Sequence, residues 1–218
     1  MASTTRYASS DSSFEDATDS MTDWVRDRSR PIAIGVLAVV ALGAGTLLWR
    51  NAASSKAQRA ETAFFQAQAP IAQNDLAGAE RELKSVADRF GGTAGGAQAR
   101  LLLAQVYYDQ GKYQAGIDVL KAGDAPAALR TSTKVLMAGG YEGLAKHADA
   151  AKLYDEAAAE SPVGQRDELR ANAARAYQAA GNAAAAHKIW TELSRNDASP
   201  LADEARVRLG ELAAKPAG

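Results

Sequence analysis

The sequence predicts an all-α protein: one long apolar helix followed by a stack of helix hairpins. Three observations carry this reading. The stretch from Pro31 to Trp49 (PIAIGVLAVVALGAGTLLW) holds no charged residue. The rest of the 218-residue chain is rich in alanine, the best helix former, with only 6 prolines and no cysteine. A small–x–x–Tyr pattern then returns at a spacing of about 34 residues, the period of a helical repeat.

An apolar helix of about 19 residues is roughly 28 Å long, close to the ~30 Å hydrocarbon core of a bilayer. A helix apolar all round lies either inside a large protein or in lipid, and nothing else in this chain is hydrophobic enough to enclose it. Residues 31–50 are therefore predicted to be a transmembrane helix, ending in Trp49-Arg50, an interfacial aromatic and a cation. A signal peptide has a shorter apolar core and lacks a long preceding tail; Ala52, Ala53 and Ser54 are the residues at which cleavage would fall. Ala41 and Gly45 form a small-xxx-small pair, a weak signal in so Ala- and Gly-rich a segment.

Residues 1–30 (MASTTRYASSDSSFEDATDSMTDWVRDRSR) are acidic, rich in Ser and Thr, and poor in apolar side chains. They cannot bury enough surface to offset the entropy of ordering, so a disordered tail is expected. Arg26, Arg28 and Arg30 precede the span while Arg50, Lys56 and Arg59 follow it, which leaves the positive-inside count nearly tied. The favoured orientation puts the N-terminus in the cytoplasm and exports the C-terminal domain. Recruitment of soluble partners by a cytoplasmic domain is the opposite reading.

Residues 51–218 carry the repeat. Ala104, Tyr107, Gly111, Gly116 and Leu120 open it; Ala138, Tyr141, Ala150 and Tyr154 return it, with Ala157 and Pro162; Ala174, Tyr177, Gly181, Ala186 and Trp190 return it again. A fainter copy comes first, in Ala67, Asn74, Leu76, Ala79 and Leu83. Asn74 stands where Gly111 and Gly181 stand later, and asparagine tolerates the left-handed conformation that ends a helix. Pro70 replaces the tyrosine, which predicts a kink, and Ala145 replaces the turn glycine. No strong breaker lies between Arg50 and Pro70, so the first helix is expected to run on into the first repeat. Ser161-Pro162 and Ser199-Pro200 read as N-caps followed by proline at the first helical position. Gly91 to Gly96 (GGTAGG) reads as a flexible join without the spacing of a phosphate loop, and Leu201 to Ala214 as a terminal capping helix.

These spacings resemble the tetratricopeptide repeat, which implies an α-solenoid of about four hairpins plus the capping helix. In that family the first helix of each pair lines a groove that holds a peptide. The matching positions here are Gln105, Tyr108 and Asp109, then Glu142, then Arg175 and Gln178. These are mixed polar residues with one aromatic, unlike a basic carboxylate clamp.

Catalysis is not indicated. His147 and His187 have no acidic or hydroxyl partner at a motif spacing, and HExxH, GxSxG and paired-cysteine motifs are absent. No metal or cofactor site is predicted. A net charge of −1 argues against nucleic acid. The expected role is a non-catalytic, membrane-anchored interaction protein with no small-molecule substrate.

The whole layout also resembles one family, the YfgM-like ancillary subunits of the bacterial SecYEG translocon. The resemblance lies in the acidic tail, the span ending in Trp49-Arg50, the segment SSKAQRAETAFFQA, and ARLLLAQVYYDQGKYQAGIDVLKAG with the clearest repeat. It implies an inner-membrane anchor, a periplasmic repeat domain, and contact with the Sec translocon and a PpiD-like periplasmic chaperone for exported proteins. A tetratricopeptide scaffold for another cell-envelope complex has the same sequence features.

Overall fold

A computed structural model describes residues 29–214, with side chains described from residue 42. Helix α1 runs Ser29–Gln66 and α2 Ala69–Ala72. Then come α3 Leu76–Phe90, α4 Ala94–Asp109 and α5 Tyr113–Lys121. A 3-10 turn at Ala127–Leu129 leads into α6 Arg130–Gly143 and α7 His147–Glu160. The chain closes with α8 Val163–Ala179, α9 Ala183–Ser194 and α10 Ala202–Ala214. Two units divide it, 1–54 and 55–218, and the second holds the hairpins. The predicted tail falls outside the described residues except for Ser29 and Arg30. Within the first unit Leu42, Leu47, Leu48 and Trp49 are all about 70% exposed. No helix among the described residues is long and apolar enough to cross a membrane; the side chains of 31–41, the greater part of the apolar stretch, lie outside them.

Four non-helical residues organise the second unit. Asn74 (φ 57°), Gly111 (74°), Ala145 (56°) and Gly181 (78°) have positive φ, one at each hairpin turn. At each, the same two backbone bonds close the helix end. Gly111 N–H donates to Tyr108 C=O and Lys112 N–H to Tyr107 C=O, both at 2.8 Å. Lys146 N–H reaches Tyr141 C=O and Asn182 N–H reaches Tyr177 C=O, again at 2.8 Å. The repeat tyrosine therefore supplies the carbonyl that closes its own turn. Pro70 fills that role in the first copy, accepting from Asp75 N–H at 2.9 Å. Its missing N–H falls in the first turn of α2, where no helical partner exists to lose. The kink expected there is present: α1 stops at Gln66 and the chain turns before α2.

Packing follows the repeat register and gathers into two clusters. One joins Ala60, Ala67, Leu83, Phe90, Leu103 and Tyr107; the other is built on Tyr154, Leu169, Ile189, Leu193 and the fully buried Trp190. Alanines at Ala138, Ala150, Ala174 and Ala186, none exposed, let neighbouring helices approach around the large residues. Between the clusters, Tyr108 lies against Gly116 and Gly140, and Tyr113 against Gly143; a methyl group at any of these glycines would overlap a tyrosine ring. Arg100, buried, ties down two loops by donating to Gly91 C=O at 2.9 Å and Asp124 C=O at 3.1 Å.

Three local expectations need correction. The Gly91–Gly96 stretch is no flexible join. Thr93 caps α4 by accepting from Gly96 N–H, and Gly95 and Gly96 are buried in its first turn. A Cβ on Gly95 would stand 2.7 Å from the carbonyl carbon of Ala60, so this glycine exists for close helix contact. Ser161 does not cap α8 either. Its hydroxyl donates back to Ala157 C=O at 2.7 Å, satisfying an open carbonyl at the end of α7, and Pro162 occupies the N-cap position. Ser199 accepts from Leu201 N–H at 3.4 Å, and the helix starts beyond it at Ala202, with no proline at its first position.

Ala145 is the one turn residue with a methyl group in left-handed backbone and no polar side chain to compensate. Ala145→Gly should raise stability by about 1 kcal/mol, and Gly111→Ala should lower it by a similar amount. Urea midpoints of the two variants moving in the same direction would refute this account of the turns.

Candidate functional site

The first helices of three consecutive hairpins, α4, α6 and α8, border one groove of about 680 Å³. Leu101, Val135, Leu136 and Leu169 provide its apolar surface, with Tyr154 of α7 beneath. Thr131, Ser132, Gln165 and Asn172 add uncharged polar groups, and among the described residues Glu168 is the only charged one lining it. The combination of an apolar base with a few convergent polar groups is that of a ligand site.

Gly139 keeps the groove open. It lies within α6 and lines the cavity, yet a Cβ built on it would meet nothing within 4 Å. Its neighbour Gly140 is the reverse case, turned inward against Tyr108 and Ile117. Two adjacent glycines therefore have opposite reasons.

The six residues taken from the repeat register lie nearer the C-terminal ends of the same helices, and none lines this groove. Gln105 and Asp109 are exposed and bonded to each other at 3.1 Å. Glu142 is exposed and accepts from the Tyr154 hydroxyl at 3.0 Å. Tyr108 is half-buried in the glycine seam, its hydroxyl oxygen without a partner, and burial followed by the nearby Tyr141 pushes its pKa up to about 12. Burial, then Glu142, likewise raises that of Tyr154. Gln178 is half-buried, its carbonyl accepting from Gly181 N–H in the turn.

Arg175 is the most engaged of the six. It donates to both carboxylate oxygens of Glu204 on α10 at 2.7 and 2.8 Å, and to Asn172 Oδ1 at 2.6 Å. Its guanidinium also lies 5.8 Å from the centre of the Trp190 ring. The bond from Arg175 holds the Glu204 carboxyl below its ordinary range. The structure thus brings Arg175 to the edge of the groove through Asn172, and leaves Gln105 and Asp109 apart from it.

Sequence reasoning missed Leu101 and Val135. A signal was present: each stands three residues before the small residue of its repeat, Ala104 or Ala138, and both are apolar. Among the described residues no cluster of His, Asp or Glu is placed to hold a metal ion.

One family, described as tetratricopeptide repeat-like domain, matches residues 22–197. Two crystal structures of nearly identical TPR-like repeats, assigned to a kinesin light chain of Podosopora anserina, have a similar fold. The first is 18% identical with a TM-score of 0.55, over 71% of this chain and 85% of that one. The second, a glutamine-to-methionine variant of the same repeats, is 18% identical with a TM-score of 0.54, over 71% of this chain and 84% of that one. At this identity the likeness speaks to fold alone. No curated protein matches the chain.

Gly139→Ala should stabilise the protein by about 0.5–1 kcal/mol, because it adds helix propensity without a clash. Gly140→Ala should destabilise it by about 1–3 kcal/mol through overpacking. Denaturant titration of both variants checks the pair, and equal effects would sink the assignment of their faces.

The Tyr108 phenol prefers its neutral form in the fold. Its stabilising share is complete below pH 10.0 and disappears as pH rises towards about 12. Tyr108→Phe should remove one late-ionising tyrosine in an absorbance titration and flatten the loss of stability over that window. A variant whose late-ionising absorbance is undiminished, beyond the share that Tyr154 keeps, would contradict the burial of this hydroxyl.

Proposed function

We infer the function from the family to which the chain belongs, the tetratricopeptide repeat-like domain family. Its fold is typically a non-catalytic scaffold for protein–protein interaction, and the carrying observation here is the groove across α4, α6 and α8. We propose that this groove takes an extended segment of a partner protein. Tyr154 and the leucines would receive its apolar side chains, while Ser132, Gln165 and Asn172 would meet its backbone.

We further propose that α1 anchors the scaffold in a membrane through residues 31–50. Supporting this are the uncharged run Pro31–Trp49 and the exposure of Leu42, Leu47, Leu48 and Trp49, a set of large apolar side chains that water does not favour. The family match begins ahead of this run, so the run belongs to the matched region. The layout's resemblance to the ancillary subunits of the SecYEG translocon supports an inner-membrane protein with a cytoplasmic N-terminus and a periplasmic repeat domain. On that reading it links the translocon to a PpiD-like chaperone. The second reading is a scaffold for another cell-envelope complex, favoured by the same anchor and groove.

Site-specific photo-crosslinking in intact membranes tests this, with probes at Ser132 in the groove and Gly43 in the apolar stretch. Adducts to translocon subunits or their chaperone are expected. Reproducible adducts to a different envelope complex alone would sink the translocon reading. Protease protection of residues 55–218 in sealed membranes checks the orientation; digestion from the cytoplasmic face would reverse it.

A further inference from the structure

Arg175 carries only donors, so the Asn172 atom it meets at 2.6 Å is the amide oxygen. That contact assigns the orientation of the Asn172 amide and leaves its NH2 group, two donors, for another partner. Among the described residues that group bonds to nothing, and Asn172 lines the groove. The orientation is secured from behind. Arg175 is gripped by both oxygens of Glu204 and rests against Trp190, which is fully buried. Asn172 is therefore held as a donor by a chain of contacts that begins on the capping helix.

Charge in the groove is equally one-sided. Among the described residues Glu168 is its only acidic or basic lining residue, and it has no ion-pair partner there. Lys134, a cation on the facing helix α6, is already taken by Glu156 and Glu160, each at 3.0 Å. A ligand bringing a cation to Glu168, which is exposed, would find an unpaired carboxylate beside an apolar surface.

We propose that the groove selects an extended peptide segment with apolar side chains and a basic residue. Asn172 donates to one of its backbone carbonyls, and Glu168 receives the cation. Arg175 and Glu204 are positioning residues that act through Asn172. The inference rests on the reading of the groove as a peptide site, and adds to it the chemistry of the occupant. An extended strand laid in a groove has carbonyls with no internal partner, so a fixed side-chain donor is the group that stabilises it.

The test uses the full-length chain in detergent micelles and two short fluorescein-labelled peptides of leucine and serine, identical except for a central lysine or glutamate. Fluorescence anisotropy at low salt should show the lysine peptide binding about fivefold more tightly, the scale of one partly exposed ion pair. Glu168→Gln should bring the two affinities together. Asn172→Leu should weaken both peptides by about fivefold and leave their ratio unchanged, while thermal melts report that the fold persists. Equal affinities in the unaltered protein, or a preference that survives Glu168→Gln, would overturn the cation site. Unchanged binding by Asn172→Leu would overturn the carbonyl donor. Gly139→Leu fills the groove and should abolish binding of both peptides. If binding persists in that variant, or if neither peptide binds the unaltered protein, the peptide groove itself is wrong and the selectivity falls with it.

Discussion

Each hairpin depends on a helix that must stop and reverse within three residues, and the left-handed turn is what allows it. The second residue past the helix takes positive φ, and two N–H groups fold back onto carbonyls that would otherwise be unpaired. One of those carbonyls belongs to the repeat tyrosine, or to Pro70 in the first copy. The tyrosine position is thus tied to the turn through its backbone and to the packing through its ring. Register, turn and core contact are linked at one residue, which is why the pattern stays in step over four hairpins.

Given those turns, the distance between helices decides the rest. Alanine at the crossing points lets backbones approach, and the space so defined is filled by a few large residues such as Trp190, Leu83 and Leu103. Where even alanine is too large, glycine appears: Gly95 against Ala60, and Gly116 and Gly140 against Tyr108. The seam at Tyr108 is one costly part of the structure, as is the unpartnered Nε1 of the buried Trp190. The Tyr108 hydroxyl oxygen is buried without a partner, and only close packing of the ring offsets that loss.

What could be read from the sequence was whatever recurs. Asn74, Gly111, Ala145 and Gly181 announced themselves by spacing, and Pro70 announced the kink by interrupting the spacing. Single residues with two possible roles were less legible. Ser161 before a proline looks like an N-cap, but a buried serine beside the open carbonyls of a finished helix serves the helix behind it. The glycines from Gly91 to Gly96 look like a join, because sequence does not show that α1 lies within a methyl group's reach of Gly95. The groove was legible only in part for a geometric reason. Three successive first helices border it together, so its residues become neighbours only once the stacking is known. Leu101, Val135 and Glu168 lie far apart in the chain and share no motif.

The capping helix connects the packing of the stack to the groove. The last hairpin of a stack needs its exposed apolar face covered, and Ala202 and Ala205 of α10 supply that cover. A purely protective helix would present any polar residue to water. This one places Glu204 on Arg175, and Arg175 donates to Asn172, one turn earlier on α8 and in the groove. The end of the stack and the binding surface are consequently held by the same guanidinium, whose planar donors can satisfy a carboxylate and an amide oxygen at once. Lysine at this position would offer a point charge without the fork, keeping an attraction to Glu204 but losing the geometry that fixes Asn172. The choice of arginine is what makes the cap part of the groove.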